Sequence, residues 1–524
     1  MEDPGWTSLL PPLTAIVLAL TTRRIVPSLL IGIALGAYLI RPGDLWGAAH
    51  TLAIEYLGSN LIQTDKLKVF AFTLIMGAMV GLITVAGGMR GLVELVLPWA
   101  QTRRRGQALV SLLGLAIFFD DYANMLLIGG TTRPLADRLK ISREKLAYLI
   151  DSTAAPVAGL ALVSTWVAVE IDYIGQGLSE LPNEVRWEPI GLFLASFPYR
   201  FYPLWAILFV FLIAGSGRDF GPMRVVERKR LDEPPHDQTS NGASLNVPDA
   251  SSHWLNAALP ILTTVGVVVW QLYRSGLSVV KQDDLSPSWA NIFGNANSYD
   301  ALTYGALAGI SAAWLMIAPQ RIASFKTMLG GMYQGAKAMI PALVILWLSG
   351  ALATTTGKGP AGLHTGAYLA ELTQGSVPLQ LLPSVTFLVA AAMAFATGTS
   401  WGTMGILMPL AIPVTYDLMI ADGVAIETTS LLAGVVGAIL AGAIFGDHCS
   451  PLSDTTILSS QSCGCDHIAH VHTQMPYALC VGMAAVFCGT LPIALGVSVW
   501  ACHAAGVLAL IGVVFLLGKR PDLK

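Results

Sequence analysis

The chain has 524 residues, 54% of them hydrophobic and only 12% charged, with a formal net charge of -3. A soluble domain carries about 25% charged residues, so a large soluble fold is excluded, and the near-neutral balance offers no basic footprint for nucleic acid. Apolar runs of about 17–25 residues, the length that spans a bilayer, recur throughout and place the chain among integral membrane proteins.

The N-terminal stretch MEDPGW is acidic, the wrong n-region for a cleaved signal peptide. The first apolar runs, 7–20 and 25–40, are separated by Arg23 and Arg24. A mixed stretch, 41–68, reads as including a surface helix. The third run, 69–87, contains Gly77-x-x-x-Gly81, a spacing that suits close helix packing but also arises by chance in a glycine-rich chain. Arg103, Arg104 and Arg105 precede a run at 108–130 that is broken by FFDDYAN, 118–124; Arg133, Arg138, Lys140, Arg143 and Lys145 follow it. Basic clusters on both sides put both ends in the cytoplasm. The segment 106–133 therefore reads as a re-entrant hairpin with DDYAN near its tip. The run 146–171 crosses outward and carries a break at 152–156. Glu170, Asp172, Glu180, Glu184 and Glu188 read as an acidic outer loop. The run 191–215 crosses back, and 218–253 reads as a cytoplasmic linker between two halves.

The second half repeats the first. LPPLT at Leu10 is echoed by LPILT at Leu259, and PY at Pro198 by PY at Pro476. TGTSWGT, 397–403, takes the place of FFDDYAN. Asp417, Asp422 and Glu427 follow it without a base, so this second hairpin, 379–415, opens outward. A broken helix at 427–462 comes next. Each half, 1–217 and 254–498, then has five crossings and one hairpin. An odd number of crossings forces the halves into opposite orientations, an inverted-topology repeat. An extra helix within 499–524 ends at Lys519 and Arg520. The predicted fold is an all-α polytopic membrane protein with about 11 crossings plus two re-entrant hairpins, its N-terminus outside and its C-terminus in the cytoplasm.

The chemistry centres on 446–460, GDHCSPLSDTTILSS. Asp447 and Asp454 lie in an apolar run there, with Pro451 between them. A mid-membrane aspartate costs about 2.5–3.5 kcal/mol on insertion scales, and the Pro among Ser and Thr argues for a broken helix whose freed backbone needs partners. A weaker copy is 151–166, DSTAAPVAGLALVSTW. Setting Pro156 on Pro451 puts Ser164 and Thr165 on Ser459 and Ser460, with Asp151 and Asp447 leading the two segments. Paired breaks in two halves point to a transporter's central site.

The candidate ligands are the carboxylates Asp120, Asp121, Asp151, Asp447 and Asp454. A carboxylate in a partly dry site can hold a proton near neutral pH or bind a small hard cation, and a group that takes one or the other makes an exchanger by competition. Asn124, Ser152, Thr153, Ser164, Thr165, Thr399, Ser400, Thr403, Ser450, Ser453, Thr455 and Thr456 supply neutral oxygens. The plainer role of such carboxylates is to cap helices or pair with bases, and of such hydroxyls to bond their own i−4 carbonyl. Arg200, two turns into a crossing, either snorkels outward or pairs with a carboxylate or an anionic substrate.

Three lookalikes carry less. Gly398-Thr-Ser400-Trp-Gly402 matches the hydrolase elbow, which needs a strand–turn–helix and a partnered His; here it lies in a helical hairpin. Gly350 and Gly357 are followed by Lys358 without the Ser or Thr of a phosphate-binding loop. Cys463, Cys465, His467, His470 and His472 resemble metal ligands but match no standard spacing, and read as a solvated cytoplasmic loop. The remaining cysteines in apolar runs read as small buried residues.

GDHCSPLSDTT, FFDDYAN and the GTSWGT hairpin resemble the NhaC-type sodium/proton antiporters. The resemblance covers most of the chain, and Asp447, Ser450, Pro451, Ser453, Asp454 and Thr455 match its signature directly. It implies an inverted-repeat, elevator-type carrier, often a homodimer, with two hairpins and two broken helices around the site. The family is not uniform in substrate: some members resemble malate/lactate exchangers and others move amino acids. The sequence thus predicts a secondary transporter of the cell membrane, exchanging sodium for protons, with Asp447 and Asp454 as ligands of the transported ion and no resident cofactor. The rival is sodium- or proton-coupled carriage of a small carboxylate or amino acid; a distant one is an intramembrane hydrolase built on Ser400 and His448.

Overall fold

The computed structural model of the chain describes residues 5–22, 24–182, 187–232, 253–282, 286–357, 359–365, 368, 378–423 and 429–521. The described residues are helical throughout, apart from turns and one isolated backbone bridge between Asp219 and Lys519. Nine described helices are long and apolar enough to cross a bilayer, and Ile25–Ile40 and Phe201–Ser216 are shorter apolar ones. In hydrocarbon every backbone polar group must be bonded within the protein, which leaves helices as the means of spanning. The protein is an all-helical, multi-pass membrane protein. Trp270, Leu315, Leu508 and Leu516 point outward, the side chains a bilayer covers.

Four helices, Thr64–Val85, Leu255–Gln282, Ser298–Gln320 and Phe325–Ala338, pack into one block. The crossing between the first and the last is closed by glycines. Gly77 faces Gly335 and Gly81 faces Gly331, so two small-xxx-small stripes meet and a Cβ on any of the four would strike backbone or a neighbouring side chain. The spacing seen in the sequence at Gly77 and Gly81 is thus half of a paired device.

Eight other helices build the two hairpins and the two broken helices. The first hairpin is Arg103–Ala116 and Asp121–Arg138. Its two ends lie together, with Arg138 Nη2 donating to Ala100 O at 3.4 Å. The first broken helix is Arg143–Ala158 followed by Thr165–Leu178. The second hairpin is Leu382–Thr397 and Ser400–Ala421, and Leu379, Leu418 and Met419 cluster where its ends meet. The second broken helix is Thr429–Cys449 followed by Asp454–Cys463.

Several sequence expectations are corrected. The first break falls at 159–164, not 152–156; Ser152 to Pro156 continue the helix, since an interior proline frees only one carbonyl, that of Ser152, and helices packed within a membrane protein tolerate it. Glu170 and Asp172 are not in an outer loop but buried inside Thr165–Leu178. The linker begins as a docked helix, Gly221–Asp232, whose buried Glu227 accepts from Ser142 N at 2.7 Å and from Arg103; residues 233–252 lie outside the described residues, as do Glu184, Lys358 and Glu427. Residues 463–472 are no solvated loop. Cys463 ends one helix and is fully buried, and His467 starts the next.

Candidate cation site

Each break is defined by the cap that starts the helix after it. Asp120 caps the returning arm of the first hairpin, its Oδ1 accepting from Ala123 N at 2.7 Å. Thr399 does the same in the second hairpin, accepting from Gly402 N at 3.3 Å. Ser164 and Ser453 cap the second pieces of the two broken helices, accepting from Val167 N at 3.1 Å and Thr456 N at 3.3 Å. A side-chain oxygen at this position satisfies one of the orphan N–H groups of a helix start.

Counting from these caps gives the register of the repeat. Asp121 answers to Ser400, Tyr122 to Trp401, Asn124 to Thr403, and Thr165 to Asp454. The proline alignment does not hold: Ser164 answers to Ser453, not Ser459. Pro156 lies inside the helix before its break, eight residues ahead of the cap Ser164, whereas Pro451 lies within its break, two residues ahead of the cap Ser453, so the two prolines do not correspond.

Each hairpin tip docks on the broken helix of its own half. Thr165 N donates to Phe119 O at 3.0 Å and Thr165 Oγ1 to Asp120 Oδ2 at 3.1 Å. Ser450 Oγ donates to Phe395 O at 2.6 Å, and Ser400 Oγ to Ala443 O at 3.2 Å. Each tip also reaches across to the other half through an aromatic residue at the same register position. Tyr122 OH donates to Asp454 Oδ2. Trp401 lies against Trp166, with ring centroids 5.0 Å apart. Tyr122 belongs to the sequence motif FFDDYAN, where the neighbouring carboxylates are the more conspicuous signal.

The carboxylates divide by how far they are engaged. Both oxygens of Asp120 are bonded, as cap and tie. Asp454 accepts from Tyr122 and from Thr455 N at 2.9 Å. Asp447 is fully buried, and its Oδ2 accepts from Thr455 Oγ1 at 2.8 Å. Ser453 Oγ is in turn 2.8 Å from Thr455 Oγ1. Asp447 Oδ1, Asp121 Oδ2 and Asn124 Oδ1 are buried acceptors with no partner. Asn124 is held by its amide nitrogen, which donates to Gly114 O at 2.8 Å and Ile117 O at 3.0 Å, leaving the oxygen free. Unpaired buried oxygens at interrupted helices are the donor set that a small hard cation requires.

Other candidates keep local roles. Thr403 Oγ1 bonds back to Thr399 O at 3.0 Å and Thr153 Oγ1 to Leu149 O at 2.7 Å, the plain i−4 role, while Thr153 O accepts from Asn124 Nδ2 at 3.5 Å. Ser152 is buried in the same helix. Asp151 contacts Gln474 and His470 rather than either tip. Ser400 and His448 have different partners, Ala443 O and Tyr202 OH, so no nucleophile–base pair forms between them. Among the described residues no group of three or more His, Cys, Asp or Glu gathers as a metal site.

Arg200 does not snorkel. It is buried, with Nη1 3.0 Å from Glu170 Oε2 and donating to Gly159 O at 2.6 Å, and its guanidinium stacks on Phe193 at 4.3 Å. It pairs with a carboxylate and pins the first break. Arg133 and Arg143 cap the far end of Asp454–Cys463, donating to Ser462 O at 2.6 Å and Cys463 O at 3.0 Å, where cations suit the helix C-terminus.

The comparisons with known proteins agree with this architecture. The chain is 34% identical over 98% of its length to an uncharacterized protein of Haemophilus influenzae, covering 95% of that protein. It is 35% identical over 29% of its length to a malate-2H(+)/Na(+)-lactate antiporter of Bacillus subtilis, covering 30% of that protein. Its fold is similar to that of the YdaH transporter of Alcanivorax borkumensis, with a TM-score of 0.54, 14% identity, and coverage of 93% of this chain and 99% of that one. The Na+/H+ antiporter family matches residues 157–491, which include the second hairpin and the second broken helix. The chain belongs to the Na+/H+ antiporter family.

Proposed function

We propose that the protein exchanges Na+ for protons across the cell membrane. The transported cation is bound where the first hairpin meets the second broken helix. The observation that carries this reading is the set of unpaired buried acceptors, Asp447 Oδ1, Asp121 Oδ2 and Asn124 Oδ1. Asp454, Ser450, Ser453, Thr455, Thr399 and Ser400 surround or shape them. Sodium is cargo here, not a resident metal. The N-terminus faces outward and the C-terminus the cytoplasm. This is supported by the basic end of the molecule, where Arg103 meets Glu227, Lys140 reaches Leu231 O, and Asp219 bridges Lys519. An elevator-type homodimer is the arrangement the family resemblance implies.

The second reading is coupled carriage of a small carboxylate or amino acid, favoured by the likeness to the malate/lactate antiporter. Weighing against it, Arg200, the buried guanidinium best suited to a carboxylate fork, is already engaged by Glu170 and Gly159. The test is a proteoliposome assay with an imposed proton gradient. Sodium-dependent dissipation without organic solute is expected. No response until a carboxylate or amino acid is supplied overturns the reading in favour of the second.

A further inference from the structure

A second group of polar side chains is buried between Arg143–Ala158 and His467–Ala484. Asp151 and His470 have no exposed surface, and Asp151 Oδ2 lies 3.5 Å from His470 Nε2. Gln474 Nε2 donates to Asp151 Oδ2 at 2.6 Å and to His448 O at 3.1 Å. His470 Nε2 is also 3.0 Å from Ser459 Oγ, and Tyr202 OH is 2.9 Å from His448 Nδ1. Asp151 Oδ1, His470 Nδ1, Gln474 Oε1 and His448 Nε2 are buried without a partner. Buried polar atoms are normally paired. Ser459 Oγ donates to Thr456 O, which assigns the hydrogen of a neutral His470 to Nε2 and leaves lone pairs on His470 Nδ1 and Asp151 Oδ1.

The repeat shows that this position is special. Counting from the caps, Ser459 answers to Glu170. In the first half Glu170 is held by the permanently charged Arg200; in the second, Ser459 is met by an imidazole, His470. Asp447 and His448 approach Asp151 from Thr429–Cys449, Asp454 and Cys463 from Asp454–Cys463, and Tyr202 from Phe201–Ser216. On the first hairpin, which also packs on this helix, Asp121 and Tyr122 lie toward Asp454 at the tip. Arg103, Asp137, Arg143, Glu227 and Arg230 gather at the opposite end, around Ser142.

We propose that Asp151 and His470 form a proton-carrying pair distinct from the cation site, an assignment that rests on the Na+/H+ exchange reading. The proton adds at His470 Nδ1 or Asp151 Oδ1 and leaves from the same atom. Sodium and proton then exclude each other by repulsion between neighbouring sites in a low-dielectric interior, not by competition for one carboxylate. The exclusion is reciprocal, because a bound proton weakens sodium binding by the factor by which sodium weakens the proton's. The Gln474 amide joins the pair to the His448 carbonyl, beside Asp447.

The test uses the purified full-length protein in proteoliposomes and two assays: isotopic Na+/Na+ exchange at symmetric pH, which reads the cation site, and Na+-driven proton flux, which reads coupling. In His470→Gln, Na+/Na+ exchange is expected to stay within about twofold of wild type while proton flux falls about tenfold or more and loses its pH dependence. Asp151→Asn, which keeps the shape of the side chain, is expected to lose proton flux likewise. Wild-type proton flux and pH profile in His470→Gln overturn the proposal. So does loss of both activities in both variants, which would make the pair part of the cation site or of the fold. Failure of the exchange reading itself looks different: the wild type then shows no sodium-driven proton flux.

Discussion

Asp447 has one carboxylate oxygen tied to Thr455 and one left open inside the protein, the oxygen that the proposed cation site uses. Asp447→Asn keeps the size and removes the charge. It is expected to abolish sodium-driven proton flux in proteoliposomes; wild-type flux with an unchanged pH profile would remove Asp447 from the mechanism. Arg200 makes the opposite case, a charge that serves the fold. Removing one partner of a buried ion pair leaves the other uncompensated and costs roughly 3–5 kcal/mol. Arg200→Gln should therefore lower the melting temperature in detergent, and Arg200→Gln with Glu170→Gln should recover much of it. A double variant no more stable than the single one would show that Arg200 acts through Gly159 O rather than through Glu170. The sequence made Asp447 and Asp454 conspicuous because charge is expensive in an apolar run. It could not show which oxygens stay open, since that depends on Thr455 and Tyr122, one of them in the other half of the chain.

At the scale of elements, the paired glycine stripes and the cap register were only partly legible. Gly77 and Gly81 stood out by spacing, but their partners Gly331 and Gly335 lie some 250 residues away in a helix with a less apolar face. The breaks were visible as Pro, Ser and Thr in apolar runs, yet Pro156 proved a poor marker of where the helix stops, and the N-cap Ser164 a good one. A proline can lie inside a packed membrane helix without ending it; an N-cap immediately precedes the first residue of a new helix, so it fixes the register. The glycine crossing yields a test with its own control. At Gly331 a Cβ meets Val85 and the Gly81 carbonyl, whereas next to it Gly330 faces open space. Gly331→Ala should destabilise the folded protein by roughly 1–3 kcal/mol through overpacking. Gly330→Ala should be neutral or stabilising by up to about 1 kcal/mol, because alanine is the better helix former. Equal melting temperatures for the two variants would mean that the block of four helices is not closed by glycine contact.

For the whole molecule, the strongest regularity is the segregation of charge between its ends. One end collects Arg103, Lys140, Arg143, Arg230 and the Asp219–Lys519 bridge, joining the ends of the first hairpin to the start of the linker and to the last residues described. The other holds Asp65, Lys68 and Asp300, with Asp422 at the close of the second hairpin. The bias in Lys and Arg sets membrane orientation, so the orientation proposed above puts the first end in the cytoplasm and brings the two hairpins in from opposite sides. This follows from loop charge and hairpin geometry, both of which the sequence carries. The side-by-side position of the hairpin ends is what turns an apolar run between two basic clusters into a re-entrant segment, and not into a crossing with one cluster stranded outside. Single cysteines at Gln101 and Asp422, both exposed, report the two ends. With the six native cysteines replaced, an impermeant thiol reagent applied to right-side-out vesicles should label the cysteine at 422 and leave the one at 101 untouched until the vesicles are opened. Labelling of position 101 from outside would reverse the molecule in the membrane. Labelling of both from outside would put the two hairpins on one side and would remove the opposed arrangement that the proposed exchange requires.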